Sequence, residues 1–97
     1  MTRPQATATM LVEDATVRVT RFDFAPGAET GWHRHGMDYV ITAITDCRML
    51  LEESVGGTRE VLVAAGEAYK RAAGVEHNVV NGGTLPMRFI EIELKPR

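Results

Sequence analysis

Turn signals built on glycine punctuate this chain at intervals of about eight to twelve residues. Between them lie short stretches rich in Val, Ile, Thr, Phe and Tyr, the residue types that strands favour. No window sustains the apolar pattern of an amphipathic helix between two such breakers. The chain is therefore predicted to be all-β, a sandwich or barrel of short strands. The turn signals are Pro26-Gly27, Gly31, Gly36, Gly56-Gly57, Gly66, Gly74 and Asn81-Gly82-Gly83.

Nine strands are predicted from the stretches between the turns. In the second of them the apolar residues change phase, from Val17 and Val19 to Phe22 and Phe24. Such a change predicts a bulge or bend near Thr20-Arg21, as when a strand passes from one sheet to another. The predicted strands are Thr9–Val12, Thr16–Phe24, Gly31–Arg34, Tyr39–Thr45, Arg48–Glu53, Arg59–Val63, Ala68–Arg71, His77–Val80 and Met87–Leu94.

The fourth predicted strand, Tyr39–Thr45, is apolar on both faces. Val40 and Ile44 share one face, while Ile41 and Ala43 share the other. A strand of this kind is covered on both sides, by the protein interior and by something outside it. In so small a chain the outer cover is expected to be a second copy, so a homodimer is predicted.

Size and charge narrow the classes of function. Ninety-seven residues make one domain, predicted over residues 7–97, with a frayed segment at residues 1–6. The net charge is -2 and the eleven Lys and Arg residues are scattered, so neither nucleic acid nor a membrane surface is an expected partner. Cys47 is the single cysteine and is predicted to be a buried strand residue. With no signal-peptide pattern and no membrane span, a cytoplasmic location is expected.

The three histidines of the chain can be placed around one point. His33 and His35 are two positions apart on a predicted strand, so their side chains lie on the same face, with Cα atoms about 6.5–7 Å apart. Two imidazoles at that spacing can share a metal ion at about 2.0–2.2 Å. His77 begins another strand and is the candidate for a third ligand. The alternative interpretation is a pair of surface histidines on a polar loop.

The spacing around these histidines resembles the two motifs of the cupin superfamily, G-x5-H-x-H-x3,4-E-x6-G and G-x5-P-x-G-x2-H-x3-N. The resemblance covers residues 27–81. It implies a jelly-roll-like cupin β-barrel with a metal ion in its interior and frequent dimerisation. The matching positions are Gly27, His33, His35, Gly66, Gly74, His77 and Asn81.

One departure from these motifs changes the predicted ligand set. Tyr39 stands at the usual glutamate position, and Asp38 comes one residue too early to share its face. The site would then hold three neutral nitrogens and no carboxylate. Tyr39 is predicted to direct its hydroxyl into the cavity without binding the metal, because a phenol must first lose its proton to become a ligand. The two other departures, Ala72 for proline and Asp46 for glycine, concern turns.

Three-histidine cupin sites resemble those of thiol dioxygenases and some diketone-cleaving dioxygenases, which use Fe(II). Zn, Ni, Mn or Co could occupy the same nitrogens, because affinity order alone does not decide occupancy. The segment GWHRHGMDYV also resembles the corresponding segment of small cupins associated with β-alanine degradation.

Other residues are assigned by the parity of their strands. Trp32 is expected to face away from the metal. Tyr69 and Arg71 share a face and are candidates for the pocket mouth, with a solvated exterior as the alternative. Arg88 shares its parity with the apolar side chains that follow it, which suggests an inward anion-binding group; an edge charge is the alternative.

Three hypotheses follow from these residues. The first is a metal-dependent enzyme, in its leading version an Fe(II) dioxygenase, that acts on a small anionic metabolite through His33, His35 and His77. The second is a non-catalytic module that binds a metal and a small ligand. The third is a structural domain whose histidines hold nothing.

Overall fold

The computed structural model describes residues 2–96, and nine β-strands form its regular structure. The all-β prediction is confirmed, and each predicted strand has a counterpart: Ala68–Arg71 and Met87–Leu94 have the predicted ends, and the ends of the others differ by one to a few residues. Residues 2–96 contain no helix that is long and apolar enough to cross a membrane. The strands are β1 Thr7–Glu13, β2 Val17–Phe24, β3 His33–Arg34, β4 Asp38–Ala43, β5 Cys47–Glu53, β6 Gly57–Val63, β7 Ala68–Arg71, β8 Glu76–Asn81 and β9 Met87–Leu94.

These strands are divided between two antiparallel sheets. The five-stranded sheet has the order β1-β2-β9-β4-β7, and the four-stranded sheet has the order β3-β8-β5-β6. Strands distant in the sequence are therefore neighbours in space, as β4 and β9 show. This order brings residues of β3, β4, β8 and β9, from both halves of the chain, to one interior.

The inner faces of the two sheets form the core. Phe24, Ile41 and Phe89 come from the five-stranded sheet, and Met49 and Leu51 come from the four-stranded sheet; all are at most 3% exposed. The rings of Phe24 and Phe89 lie 5.3 Å apart between centroids. Alternation along each strand separates this apolar interior from the outer faces.

The bulge predicted in β2 is in the neighbouring strand instead. The pairing of β2 with β9 is regular from Val17 to Phe24, whereas the β1 register shifts between Met10 and Val12. The phase change in the β2 sequence has another cause: Arg18 occupies an inward position, where it donates to the buried Glu93 at 2.8 Å. A polar inward residue satisfied by a carboxylate hides the true phase of the strand.

The outer face of the five-stranded sheet is only partly covered within residues 2–96. The register places Val12, Val19, Ile92 and Val40 in one row across four neighbouring strands. Val12 is 48% exposed, and the other three are half-buried. The apolar outer face expected of β4 is thus present and extends over three further strands.

The segment predicted to be frayed lies against the four-stranded sheet instead. Met1 is outside the described residues, but Ala6 is buried and its N–H donates to the Glu29 carbonyl at 2.8 Å. Arg3 donates to both oxygens of Glu52 at 2.9 Å. Backbone and side-chain hydrogen bonds therefore tie this segment to the domain.

Candidate metal centre

The pairing of β3 with β8 brings two of the histidines together. His33 and His77 are direct cross-strand partners, so both side chains lie on the inner face. Side chains of such a pair start from Cβ atoms about 4.5–5.5 Å apart. The antiparallel pairing thereby places side by side two residues that are 44 positions apart in the sequence.

His35 lies beyond the end of β3 and is held by a turn. Its N–H donates to the Val75 carbonyl, and its carbonyl accepts from the Gly74 N–H, both at 2.8 Å. Gly74 has a φ of 100°, a conformation that side-chain-bearing residues rarely adopt. The glycine before β8 thus allows the turn that fixes the backbone of His35.

The three imidazoles point their Nε2 atoms at one another. The Nε2 atom of His35 lies 3.0 Å from that of His33 and 3.1 Å from that of His77. The ligand atoms of the three histidines all lie within 4.8 Å of one another. The rings stand nearly perpendicular, at interplanar angles of 74° to 85°. The structure therefore brings together all three residues that the sequence proposes as ligands.

The tautomer of His33 is fixed by the backbone. Its Nδ1 atom is 2.8 Å from the Gly31 carbonyl, which can only accept, so Nδ1 carries the proton and Nε2 presents a lone pair. Gly31 is itself held, because its N–H donates to the buried Asn78 at 2.9 Å. Asn78 in turn donates to Glu29 and Glu52. The N-terminal segment reaches the site through this series of contacts, since Arg3 binds both carboxylates.

Burial keeps the other two imidazoles neutral. Loss of solvation, assisted by nearby His33, lowers the pKa of His35 to about 4. The same two causes, with a further contribution from His35, lower the pKa of His77 to about 3. His77 Nδ1 is buried and has no hydrogen-bond partner within residues 2–96. At neutral pH these side chains are therefore lone-pair donors rather than cations.

Tyr39 packs directly on the cluster. Its ring stacks on that of His35 at 3.8 Å between centroids and an angle of 17°. Its hydroxyl is buried and has no hydrogen-bond partner in the described part of the chain. Burial raises the pKa of the phenol, so the hydroxyl keeps its proton at neutral pH. Asp38, in contrast, points away and accepts from the Ala73 N–H at 2.8 Å.

Sequence reasoning missed a carboxylate on β9. Glu91 is 9% exposed, and its Oε1 atom lies 3.9 Å from Nε2 of His35. Burial and the neighbouring Glu93 raise its pKa to about 7. With His35 neutral above about pH 4, this contact is not an ion pair near neutral pH. The signal that could have found Glu91 is Met87 and Phe89, two core residues that share its parity.

The same parity error affects Arg88. The inward interpretation of Arg88 is wrong, because the odd-numbered residues of β9 face the core and Arg88 is exposed. It pairs with Asp23, its cross-strand neighbour on β2. Ile90 and Ile92 share the parity of Arg88 but lie on the outer face, because the outer face of this sheet is itself apolar.

Tyr69 and Arg71 lie on the inner face, beside the site. Arg71 donates to Glu53 at 3.0 Å, and Arg59 donates to the same oxygen at 3.2 Å. The Tyr69 hydroxyl contacts Met49 Sδ at 3.7 Å. Trp32 is 57% exposed, as expected for a residue that faces away from the cluster. Cys47 is buried, and burial raises the pKa of its thiol.

A cavity of about 20 Å³ lies beside the cluster. His33, His77, Tyr39 and Glu91 are among its lining residues. That volume is sufficient for roughly one water molecule.

Comparison with known proteins identifies the family. The family model described as a cupin domain matches residues 20–93, which includes the whole histidine cluster. The chain belongs to the cupin family. This cupin is 54% identical over 93 residues to the "Beta-alanine degradation protein BauB" of Pseudomonas aeruginosa, and the match covers 96% of this chain and 97% of that protein.

Solved structures show the same fold. A cupin domain from Bordetella pertussis has a TM-score of 0.95 at 44% identity, and the match covers 99% of both chains. An RmlC-like cupin family protein from Methanocaldococcus jannaschii has a TM-score of 0.79 at 13% identity, covering 94% of this cupin and 81% of that chain. At that low identity the second similarity concerns the fold alone.

The pKa shifts predict how stability depends on pH in metal-free protein. Below pH 6.5 the unfolded chain protonates His35 and His77, whereas the folded chain keeps them neutral to a much lower pH. Both residues therefore lower the free energy of unfolding as the pH falls. Glu91 has the opposite sign, because the fold protonates it near pH 7 and the unfolded chain only near 4.5. Between about pH 7 and 5 the free energy of unfolding should fall by roughly 2 kcal/mol, and in Glu91→Gln by roughly 4 kcal/mol.

Urea denaturation of chelator-treated protein across this pH range measures both values. Equal pH dependence in the wild type and in Glu91→Gln would contradict the assignment of the opposing protonation to Glu91.

Proposed function

We propose that this cupin binds one divalent transition metal through Nε2 of His33, His35 and His77 and acts as a metal-dependent enzyme on a small anionic metabolite. The observation that carries the proposal is the convergence of three Nε2 atoms, two of them from buried histidines, at 3.0 and 3.1 Å. One Nε2 atom carries either a proton or a lone pair, so His35 cannot make a full hydrogen bond to both of its neighbours, whereas one cation can be shared by all three nitrogens.

The donor set fits a metal ion. Two nitrogens that each lie about 2.1 Å from one ion, at a right angle, are about 3.0 Å apart, and the cluster has this spacing. The Nδ1 atom of His33 donates to a backbone carbonyl, which is the usual outer contact of a metal-ligating histidine. His35 and His77 need not lose protons to bind at neutral pH.

A bound metal would supply Lewis acidity or, as Fe(II) in the leading version, a site for dioxygen chemistry. Imidazole ligands suit Fe(II) and equally Zn, Ni, Mn or Co. Three protein ligands leave positions open for a substrate.

The surrounding residues support a small anionic substrate. Arg71 places a half-buried guanidinium beside the cluster, where its charge helps to lower the pKa values of His35 and His77. Arg71 donates to Glu53 through one nitrogen, and its remaining N–H groups can bind the carboxylate of a substrate. Tyr39 keeps its proton and offers a hydroxyl donor rather than a phenolate ligand.

The relatives suggest where to look for the substrate. The name of the Pseudomonas aeruginosa protein links that protein to β-alanine degradation. At 54% identity over nearly the whole chain, a role in the same degradation is the first one to test for this cupin.

A second candidate function is a non-catalytic module that binds a metal and a small ligand. The size of the cavity favours it, because about 20 Å³ beside the histidines holds one water molecule rather than a metabolite. In this version Tyr39 and Glu91 complete a closed site.

The same proposal includes a homodimer built on the outer face of the five-stranded sheet. The row Val12, Val19, Ile92 and Val40 forms an apolar band across four strands. Apolar bands of this kind on small domains mark interaction surfaces.

Metal content tests the site directly. Untagged protein loaded with Fe(II) or Zn(II) should hold close to one ion per chain after desalting, measured by plasma emission spectrometry. The double variant His33→Ala, His77→Ala should retain almost none. Arg34→Ala is the matched control, because Arg34 lies between the paired histidines and is exposed. Full metal content in the double variant would refute the site.

Oxygen uptake separates the enzyme from the binding module. Fe(II)-loaded protein should consume dioxygen with one member of a panel of β-alanine and other small amino, keto and thiol acids, and the double histidine variant should not. An oxygen electrode gives the measurement. No uptake across the panel by fully loaded protein would favour the binding module.

Sedimentation velocity tests the homodimer. The wild type should sediment with the mass of two chains at micromolar concentration. Ile92→Glu should sediment as a folded monomer, because a carboxylate in the apolar row opposes its burial. Leu62→Glu is the control, since Leu62 is 68% exposed on the other sheet. A monomeric wild type would contradict this part of the proposal.

A further inference from the structure

Glu91 is the one buried carboxylate beside the histidines that lacks a hydrogen bond within residues 2–96. The residue is 9% exposed, and its side chain, which is 11% exposed, lines the small cavity together with His33 and His77. A carboxylate in such surroundings is costly unless a cation or a donor satisfies it. A cation or a hydrogen-bond donor is therefore expected beside the Glu91 carboxyl.

The nearby arginines are already committed to other carboxylates. Arg18 binds Glu93 through two hydrogen bonds, at 2.8 and 2.9 Å. Arg71 binds Glu53 at 3.0 Å. His35 is the closest ring, but 3.9 Å is too long for a hydrogen bond. Within residues 2–96 the Glu91 carboxyl thus has no hydrogen-bonded partner, and it lines the same cavity as His33 and His77.

We propose that Glu91 is the anionic partner of the metal held by the three histidines, and that it supplies from β9 the carboxylate absent at position 39. The inference rests on the proposed metal site. Two donors about 2.1 Å from one ion can be up to about 4.2 Å apart, and Glu91 Oε1 lies 3.9 Å from His35 Nε2. Among the described residues only the three histidines have ligand atoms that all lie within 4.8 Å of one another, so the Glu91 carboxylate must turn toward His33 and His77 to bind the same ion.

The consequence is a change in the charge of the site. Three neutral imidazoles leave a divalent ion with a charge of +2, and Glu91 lowers the total to +1. A hard oxygen donor also favours metals such as Fe(II), Mn(II) or Co(II) over the softest alternatives. The ligand set would then keep one carboxylate, supplied by Glu91 on β9, while position 39 on β4 holds a tyrosine.

Zinc affinity, measured by competition with a chromophoric chelator, tests the inference. Glu91→Gln should bind Zn(II) about 10- to 100-fold more weakly than the wild type, while keeping one site. The visible spectrum of the Co(II)-loaded protein should also change, since its band intensities report coordination number and geometry. Neither readout requires catalytic activity.

Glu93→Gln is the matched control, because Glu93 is the next inward carboxylate of the same strand. It should leave the Zn(II) affinity within about 3-fold of the wild type and lower the thermal midpoint, since Arg18 loses its partner. Metal-free Glu91→Gln should melt no lower than the wild type, so weaker binding would not reflect unfolding.

The outcomes separate the two proposals. A wild type that binds no Zn(II) overturns the metal site itself. A wild type that binds Zn(II) with the same affinity and Co(II) spectrum as Glu91→Gln overturns the role of Glu91 alone. Equal weakening in Glu91→Gln and Glu93→Gln overturns it as well, because the effect would then come from the general field of the two carboxylates.

Discussion

The short pairing of β3 with β8 is the interaction on which the site depends. It sets His33 opposite His77, and the Gly74 turn then holds the backbone of His35 from both sides. Three imidazoles packed at 3.0 and 3.1 Å are unfavourable by themselves, because burial strips their solvation and the Nε2 atom of His35 can make a full hydrogen bond to only one of its two neighbours. The rest of the fold provides the rigidity that keeps them there.

Each sheet contributes a different part of this centre. The four-stranded sheet carries His33 and His77, and Asn78 links that sheet to the N-terminal segment. The five-stranded sheet carries Tyr39, which stacks on His35, and Glu91, which faces the cavity. Ligand geometry in this cupin therefore depends on how the sheets pack, and mutations in the shared core are expected to affect the site indirectly.

Much of this could be predicted from the sequence, because the signals were local. Glycine turns located the strands, and two-residue spacing put His33 and His35 on one face. What failed were inferences about which face of a strand is inward. Arg18 and Glu91 are polar residues in the interior, whereas Ile92 and Val40 are apolar residues outside it. Hydrophobicity assigns faces only where the exterior is polar, and here it is not.

The central claim is that the three imidazoles share one ion. Anomalous diffraction from crystals of metal-replete protein, collected at the absorption edge of the loaded metal, tests it most directly. We expect one strong peak about 2.0–2.2 Å from each Nε2 atom of His33, His35 and His77. Metal found elsewhere in the crystal, with no peak among these nitrogens, would contradict it.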